Sequence, residues 1–319
     1  MAISVKRGWG TVQYFAVPGR DPAFHQAFEQ VTFEQVRDED VLLLWINDPA
    51  IVCGAFQTIY QEASVYRAAR QGIAVIRRDS GGGTVYHDPG NLNYTIIRDG
   101  GGGVDYDGFL EDILTALHRV GIPVRKSKVC DLTLEGKKIS GSAQRVSRGR
   151  VLHHGTLLFD ADLRALRAVA DRTGRVYESR AVKSVPAQVT NLKPYFGGGI
   201  EAFRDALAAA FPADLRPAGL RAEQLQSVEQ LAEEKYRTWL WNCGRSPAFT
   251  CRAEGQVGDA PVSVAYAAKK GVICDCRITS PVLGDLSGAF LDAALRPDLI
   301  LRLCRELTDR PETLADLIL

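Results

Sequence analysis

The residues best placed to do chemistry open with Arg77-Arg78-Asp79-Ser80, followed by the glycines Gly81, Gly82 and Gly83. Without Cβ atoms, three consecutive glycines let a bulky ligand lie against bare backbone N–H groups. Arg78 adds a planar, permanently charged fork suited to a carboxylate or phosphate. The run lacks the Gly-Lys-Ser/Thr ending of a Walker loop and the G-x-G-x-x-G spacing of a dinucleotide fold. A glycine floor beside an arginine therefore points to an activated acid or a nucleotide. Glycine triplets at Gly101–Gly103 and Gly197–Gly199 sit beside Asp or Phe with no basic cluster and read as flexible connections.

A second reactive stretch runs from Cys130 to Phe159. Lys138 is followed by the small residues Ser140, Gly141, Ser142 and Ala143, which leave space around its ammonium. His153 and His154 are strand neighbours, so one is expected exposed and one facing the core. Taken singly, Lys137-Lys138 also fits a solvated hairpin end, and each histidine fits an ordinary hydrogen-bonded site. Cys243, Cys251, Cys274 and Cys276 could supply four thiolates, but their spacing matches no structural zinc pattern.

These residues need elements to hold them. An apolar run, Ile73, Val75 and Ile76, leads into Arg77. Thr84–Tyr86 and Leu92–Ile97 read as the strands of a hairpin about His87-Asp88-Pro89-Gly90. Upstream, the spacing predicts a helix over Phe24–Val36, a buried strand over Val41–Ile46, another over Ala50–Phe56, and a short helix over Gln61–Gln71 closed by Gly72. Trp45 on the buried strand is either core or the edge of an acyl pocket. Asp107–Val120 is the clearest amphipathic helix, with Phe109, Ile113, Leu117 and Val120 on one face. Asp131–Leu134 and Lys137–Ala143 form strands about a Glu135-Gly136 turn. Arg145, Arg148 and Arg150 read as a mobile loop before the strand Val151–Phe159. Helices follow at Ala161–Ala170, Ile200–Phe211 and Ala222–Tyr236, the last with Leu225, Val228 and Leu231 inward. Arg245-Ser246-Pro247 divides the chain into units 1–245 and 246–319. The second holds a hairpin about Lys270-Gly271 and three short helices, and is expected to act as a lid or swinging domain.

The chain of 319 residues is 46% hydrophobic and 24% charged, with a formal net charge of +1. That is a soluble globular composition with no global field for nucleic acid or an anionic membrane. The start MAISVKRGWG lacks a signal-peptide core, and the longest apolar run, Val41–Ile46, is too short to span a bilayer. Seven cysteines without framework spacing fit a reducing, cytoplasmic setting.

In order, RRDSGGGTVYHDPGNLN, DLTLEGKKISGSAQR, HHGTLLFDADL, SVPAQVTNLKPY at Ser184–Tyr195 and WLWNCGRSPAF at Trp239–Phe249 closely resemble the lipoate–protein ligase family in its bacterial long form. The resemblance implies an α+β catalytic domain: a mixed sheet flanked by helices, shared with biotin protein ligases, related to class II synthetase cores and followed by a small α/β C-terminal domain. It also implies ATP-dependent chemistry: the lipoate carboxylate attacks the α-phosphate, pyrophosphate leaves, and a carrier lysine takes the acyl group from the adenylate. The implied partners are lipoyl carrier domains of 2-oxoacid dehydrogenase complexes and the glycine-cleavage carrier protein, with no nucleic acid and no membrane.

Mapped by motif, Ser80 and Gly81–Gly83 line the acyl and phosphate floor with Arg78 beside them. Val85, Tyr86 and Asn91 flank the nucleotide. Lys138 matches the reactive-centre lysine, Ser140 and Gly141 complete its wall, and Asp131 positions magnesium (Mg2+) or the incoming amine. His87 and His154 orient the acyl group, and Trp45 stands at the pocket edge. The family often has Gln-Asn where this chain has Gln57-Thr58. Two alternatives stand beside the ligase: an octanoyltransferase using Cys130 as a thioester nucleophile without ATP, and a non-catalytic carrier-binding relative.

Overall fold

The structure, a computed structural model, describes residues 10–99, 104–127, 131–170 and 174–319. Cys130 and Gly101–Gly103 lie outside the described residues. The first half runs β1 (Thr11–Ala16), α1 (Pro22–Gln35), β2 (Asp40–Ile46), β3 (Ala50–Cys53), α2 (Ile59–Glu62), α3 (Val65–Arg70), β4 (Ala74–Arg77), β5 (Val85–His87), β6 (Asn91–Asp99) and α4 (Tyr106–Arg119). There follow β7 (Arg125–Lys126), β8 (Leu132–Leu134), β9 (Lys137–Ser140), β10 (Ser142–Ser147), β11 (Arg150–Leu158), α5 (Leu163–Ala170), β12 (Arg175–Ser179), α6 (Ile200–Ala209), β13 (Asp214–Pro217) and α7 (Ala222–Leu231). The chain ends with β14 (Phe249–Val257), β15 (Ala260–Lys269), β16 (Val272–Ser280), β17 (Gly284–Asp285), α8 (Ser287–Phe290), α9 (Pro297–Leu307) and α10 (Pro311–Ile318).

The fold is α+β. Its main sheet is mixed and six-stranded, in the order β10-β11-β6-β2-β1-β13. The unbroken apolar run of β2 follows from its central place, with both faces covered. Leu42, Leu44 and Ile46 pack with Phe109, Ile113 and Phe203 from α4 and α6. Val41, Leu43 and Trp45 pack with Phe28 and Val31 of α1 and Val228 of α7. The same period of two puts Asn93 and Thr95 of β6 and His154 and Thr156 of β11 on the α1 side. Register then makes two cross-strand rows, Trp45–Asn93–Thr156 and Leu43–Thr95–His154–Ala143. A polar strip thus crosses the sheet on one face.

Two three-stranded sheets, β4-β3-β5 and β7-β8-β9, flank that strip. The expected hairpin about His87–Gly90 is not formed. β5 pairs antiparallel with β3, whereas β6 pairs with β2 and β11. The Asp88-Pro89-Gly90 turn instead carries the chain between sheets, held by Asp88 Oδ1 accepting from Gly90 N (2.8 Å). The expected strand to Phe56 stops at Cys53, and the expected helix over Gln61–Gln71 is broken because Ser64 caps α3, accepting from Arg67 N. Arg145 and Arg150 belong to the ordered β10–β11 hairpin. Arg150 is fully buried against the Phe33 carbonyl and Asp99, and Arg145 pairs with Asp79 at 3.0 Å. Both His153 and His154 are buried, because β11 is covered on both faces. Leu225 points outward, and Gln224 takes the inward place beside Val228.

The second sheet, β12-β14-β15-β16-β17, takes β12 from ahead of position 245. Its apolar face shares one core with α2 and α3: Ile59, Tyr60 and Tyr66 pack with Phe249, Tyr266, Ile300 and Leu314. The junction is buried at Gly244, Ser246 and Phe249. Fully buried Arg77 stitches it, donating to the carbonyls of Gly54, Gln57, Trp241 and Asn242 and to Ser246 Oγ. Among the described residues no helix is long and apolar enough to cross a membrane.

Candidate active site

A cavity of about 240 Å³ opens where the three N-terminal sheets meet. The main sheet contributes Trp45, Asn93, His154 and Thr156; the β4-β3-β5 side contributes Val52, Arg78, Gly83, Val85 and His87; the third sheet contributes Asp131 and Lys138. Burial grades along it. Trp45, His87, Asn93 and Gln26 are buried, whereas the Lys138 and Asp131 side chains are 29% and 23% exposed. The first group forms the closed end and the ion pair stands at the mouth.

Lys138 is aimed by its strand. Leu132, Leu134 and Ile139 sink into the core under α4, so the alternate residue Lys138 faces the other way. Glu135 and Gly136, both at positive φ, make the tight turn between β8 and β9. Segment 188–190 locks the backbone, with Lys138 N donating to Gln188 O (2.8 Å) and Thr190 N to Lys138 O (3.0 Å). Asp131 Oδ2 lies 2.9 Å from Lys138 Nζ. An ammonium held at a cavity mouth can stabilise charge developing on a carboxylate or phosphate oxygen.

Arg78 works differently from the free fork expected of it. Its Nε donates to Ser80 Oγ (3.0 Å), Nη1 to Val52 O (3.1 Å), and Nη2 to the carbonyls of Gly81 (2.6 Å) and Gly83 (2.7 Å). It shapes the glycine loop from within, and burial lowers its pKa only to about 10, so it stays charged. Gly82, at φ +87, and Gly54 meet at van der Waals limit: a Cβ on Gly54 would lie 2.2 Å from Gly82 O. Phe56, largely exposed, covers Gly81 from outside.

His154 Nδ1 sits 2.9 Å from the Glu29 carboxylate and therefore donates to it, and Nε2 lies 2.6 Å from Ser80 Oγ. Thr95 Oγ1 also donates to Glu29. Trp45, Arg78, Gly83, Val85, His87, Asp131, Lys138, Gly141 and His154 are thus brought to one cavity. Ser80 stands behind His154, and Gly81 and Gly82 form the loop behind Gly83. Tyr86, Asn91 and Ser140 are buried away from the cavity walls: Tyr86 packs in the core shared with the C-terminal sheet, and Asn91 donates to Asn93 Oδ1. Gln57 braces the rim, accepting from Gly54 N and Thr84 Oγ1 and donating to Ser184 Oγ. Sequence reasoning missed Gln26, Glu29, Asn93 and Lys183. Only Asn93 had a signal, standing two residues from Asn91 and so on the same strand face.

Among the described residues, Asp131 is the one carboxylate on the cavity wall, and no cluster of three metal-ligating side chains occurs. A single carboxylate suits magnesium bound largely by a nucleotide's own phosphates.

A cavity closed at one end, with an ammonium–carboxylate pair at its mouth and a mixed sheet beneath, suits an enzyme that handles an acid or a phosphate ester. The sequence profile of the lipoyl protein ligase A/B catalytic domain matches residues 21–212. The chain is 32% identical over 278 residues to the lipoate-protein ligase LplJ of Bacillus subtilis, covering 83% of each. It is 30% identical over 271 residues to lipoate–protein ligase 1 of Staphylococcus aureus, again covering 83% of each. This chain belongs to the lipoyl protein ligase family. A crystal structure of lipoate-protein ligase A bound with ATP matches with a TM-score of 0.63 and 25% identity, over 74% of this chain and 99% of that one. Plasmodium falciparum LipL1, solved with lipoate, shares the fold at a TM-score of 0.60 and 20% identity, over 94% of this chain and 95% of its own.

Proposed function

We propose that the cavity binds lipoate with its tail in the closed end and its carboxyl at Lys138, and that ATP meets it at the mouth. The protein is an ATP-dependent lipoate–protein ligase: it makes lipoyl-AMP and passes the lipoyl group to a lysine of a carrier domain. The observation that carries this is the Lys138–Asp131 pair at the mouth of a cavity closed at its other end. Lys138 neutralises charge developing between the carboxylate and the α-phosphate. The glycine loop, held open by Arg78, lets the nucleotide approach backbone. Asp131, with the phosphates of ATP, would hold magnesium, which supplies charge neutralisation to the leaving pyrophosphate. The acceptors are lipoyl domains of 2-oxoacid dehydrogenase complexes and the glycine-cleavage carrier protein, and the setting is cytoplasmic, where ATP and those acceptors meet. Incubation with ATP, magnesium and lipoate should release pyrophosphate and yield lipoyl-lysine on an added lipoyl domain. Transfer that proceeds without ATP would sink this reading, and Cys130→Ser should leave the ATP-dependent activity largely intact.

A further inference from the structure

The closed end of the cavity is polar, and two of its atoms have nothing to bond. Trp45 Nε1 and His87 Nε2 are buried without a partner among the described residues, and both rings line the cavity. Gln26 of α1 lines the same end at 3% exposure, and nothing among the described residues hydrogen-bonds its amide.

An indole nitrogen can only donate. His87 is a donor as well. Burial holds its pKa down to about 3, so the ring is neutral and carries one proton. Asn47 Nδ2, which can only donate, lies 2.8 Å from His87 Nδ1, so Nδ1 is the bare nitrogen and the proton sits on Nε2. The closed end thus presents two N–H donors beside an amide that can donate through its nitrogen or accept through its oxygen. Apolar walls separate these groups from the glycine loop. Val85 and His87 stand on one face of β5, and Val52 of β3 is the cross-strand partner of Val85. The two valines suit a methylene chain, and the polar groups come where the far end of a bound acid arrives. A methyl group there would displace water from both donors and give no hydrogen bond in return. Each buried donor left bare costs about tenfold in affinity.

We infer that the closed end selects for a tail with a hydrogen-bond acceptor at its far end: it takes the dithiolane sulfurs of lipoate or a terminal hydroxyl, and discriminates against the plain alkyl tail of octanoate. This selection rests on the ligase reading above, which places the tail there. Trp45 Nε1–H and His87 Nε2–H donate to the acceptor, and the Gln26 amide oxygen takes up the proton of a hydroxyl.

Calorimetric titration of the full-length protein with lipoate, 8-hydroxyoctanoate and octanoate, without ATP, reads the selection directly. The last two acids share one chain and differ by a single oxygen. 8-Hydroxyoctanoate should bind about tenfold more tightly than octanoate, and lipoate should also exceed octanoate. An apolar closed end would give the opposite order for the matched pair, because the hydroxyl would be buried unpaired. Gln26→Leu should narrow the gap from both sides, raising the affinity for octanoate and lowering that for 8-hydroxyoctanoate. Octanoate binding the wild type as tightly as 8-hydroxyoctanoate overturns the selection, and that result decides even if Gln26→Leu fails to fold. An unchanged gap in a folded Gln26→Leu overturns the part given to Gln26. Pyrophosphate release after ATP and magnesium are added keeps the two readings apart. Selective binding with no release refutes the ligase reading alone. Release with octanoate as readily as with lipoate, at equal low concentrations, refutes the selection alone, and a protein that binds none of the three acids refutes both.

Discussion

Lys138 and Arg78 are both cations at the cavity, but their surroundings give them different work. Lys138 is half-buried and, among the described residues, has one ionic partner, Asp131, so its ammonium can turn to a substrate oxygen without stranding a buried group. Lys138→Ala should cut adenylation about 10²–10³-fold, the scale of one lost electrostatic stabiliser. It should leave the thermal midpoint within a few degrees; a variant that unfolds would make the lysine structural. Arg78 is committed to the carbonyls of Val52, Gly81 and Gly83. A lysine is a point charge and cannot span that fork, so Arg78→Lys strands buried acceptors at about 1–3 kcal/mol each. It should lose about 2–4 kcal/mol in denaturant unfolding together with lipoate binding. Unchanged stability would mean that the loop does not depend on the fork. Motif order in the sequence led to Lys138, Arg78 and His154. It could not lead to Glu29 or Gln26, whose importance comes from what α1 lies against.

At the scale of elements, β6 and β11 have their legible feature in alternation, and their hidden one in which face is polar. Periodicity predicts a strand over Val151–Phe159, but only the strands beside it decide that both histidines are buried. The hairpin expected at His87–Gly90 shows the same limit. A turn signal says that the chain reverses, not that the two arms pair, and β5 finds a better partner in β3. His153 lies between Phe109, stacked at 5.3 Å, and Tyr94 at 5.9 Å, and Gln144 Nε2 donates to its Nδ1 at 3.0 Å. Burial holds its pKa down to about 3, against about 6.5 in an unfolded chain. Above pH 6.5 the ring is neutral in both states and stability does not change on its account. As pH falls from there towards 3, the unfolded chain takes up a proton that the folded one refuses. Stability then drops by about 1.4 kcal/mol per pH unit for this one ring. His25 and His87, also pushed down by burial, add in the same direction. His153→Phe should therefore lose about 2–3 kcal/mol less than the wild type between pH 6.5 and 4.5, read from denaturant titrations at each pH. Parallel curves would show that His153 takes up its proton in the folded protein.

For the whole molecule, the Gly-Arg-Ser-Pro run at 244–247 looked like a hinge because composition reports what a segment can do when free, not what covers it. Here Ser246 receives an N–H from the buried Arg77, Arg67 pairs with Asp316 at 2.9 Å, and Tyr60 donates to Leu295 O at 2.8 Å. β12 is hydrogen-bonded along β14, so the C-terminal sheet holds a strand from the middle of the chain. Any swing of the C-terminal unit must carry that strand or tear it off. The core they share also weighs against independent folding. Without residues 246–319, Ile59, Tyr60, Tyr66, Tyr86 and Tyr177 lose the apolar side chains that cover them. At about 1.5–3 kcal/mol for each large side chain, their exposure equals the whole stability of an ordinary domain, about 5–15 kcal/mol. A chain ending at Arg245 should therefore be recovered aggregated, or as an expanded species that binds a hydrophobic dye and melts without cooperativity. Co-expression with a separate 246–319 fragment should restore part of the soluble yield, since the missing surface is supplied in trans. A truncated protein that is monomeric, melts at the full-length midpoint and still makes lipoyl-AMP would show that the shared core is a docked contact between two self-sufficient units.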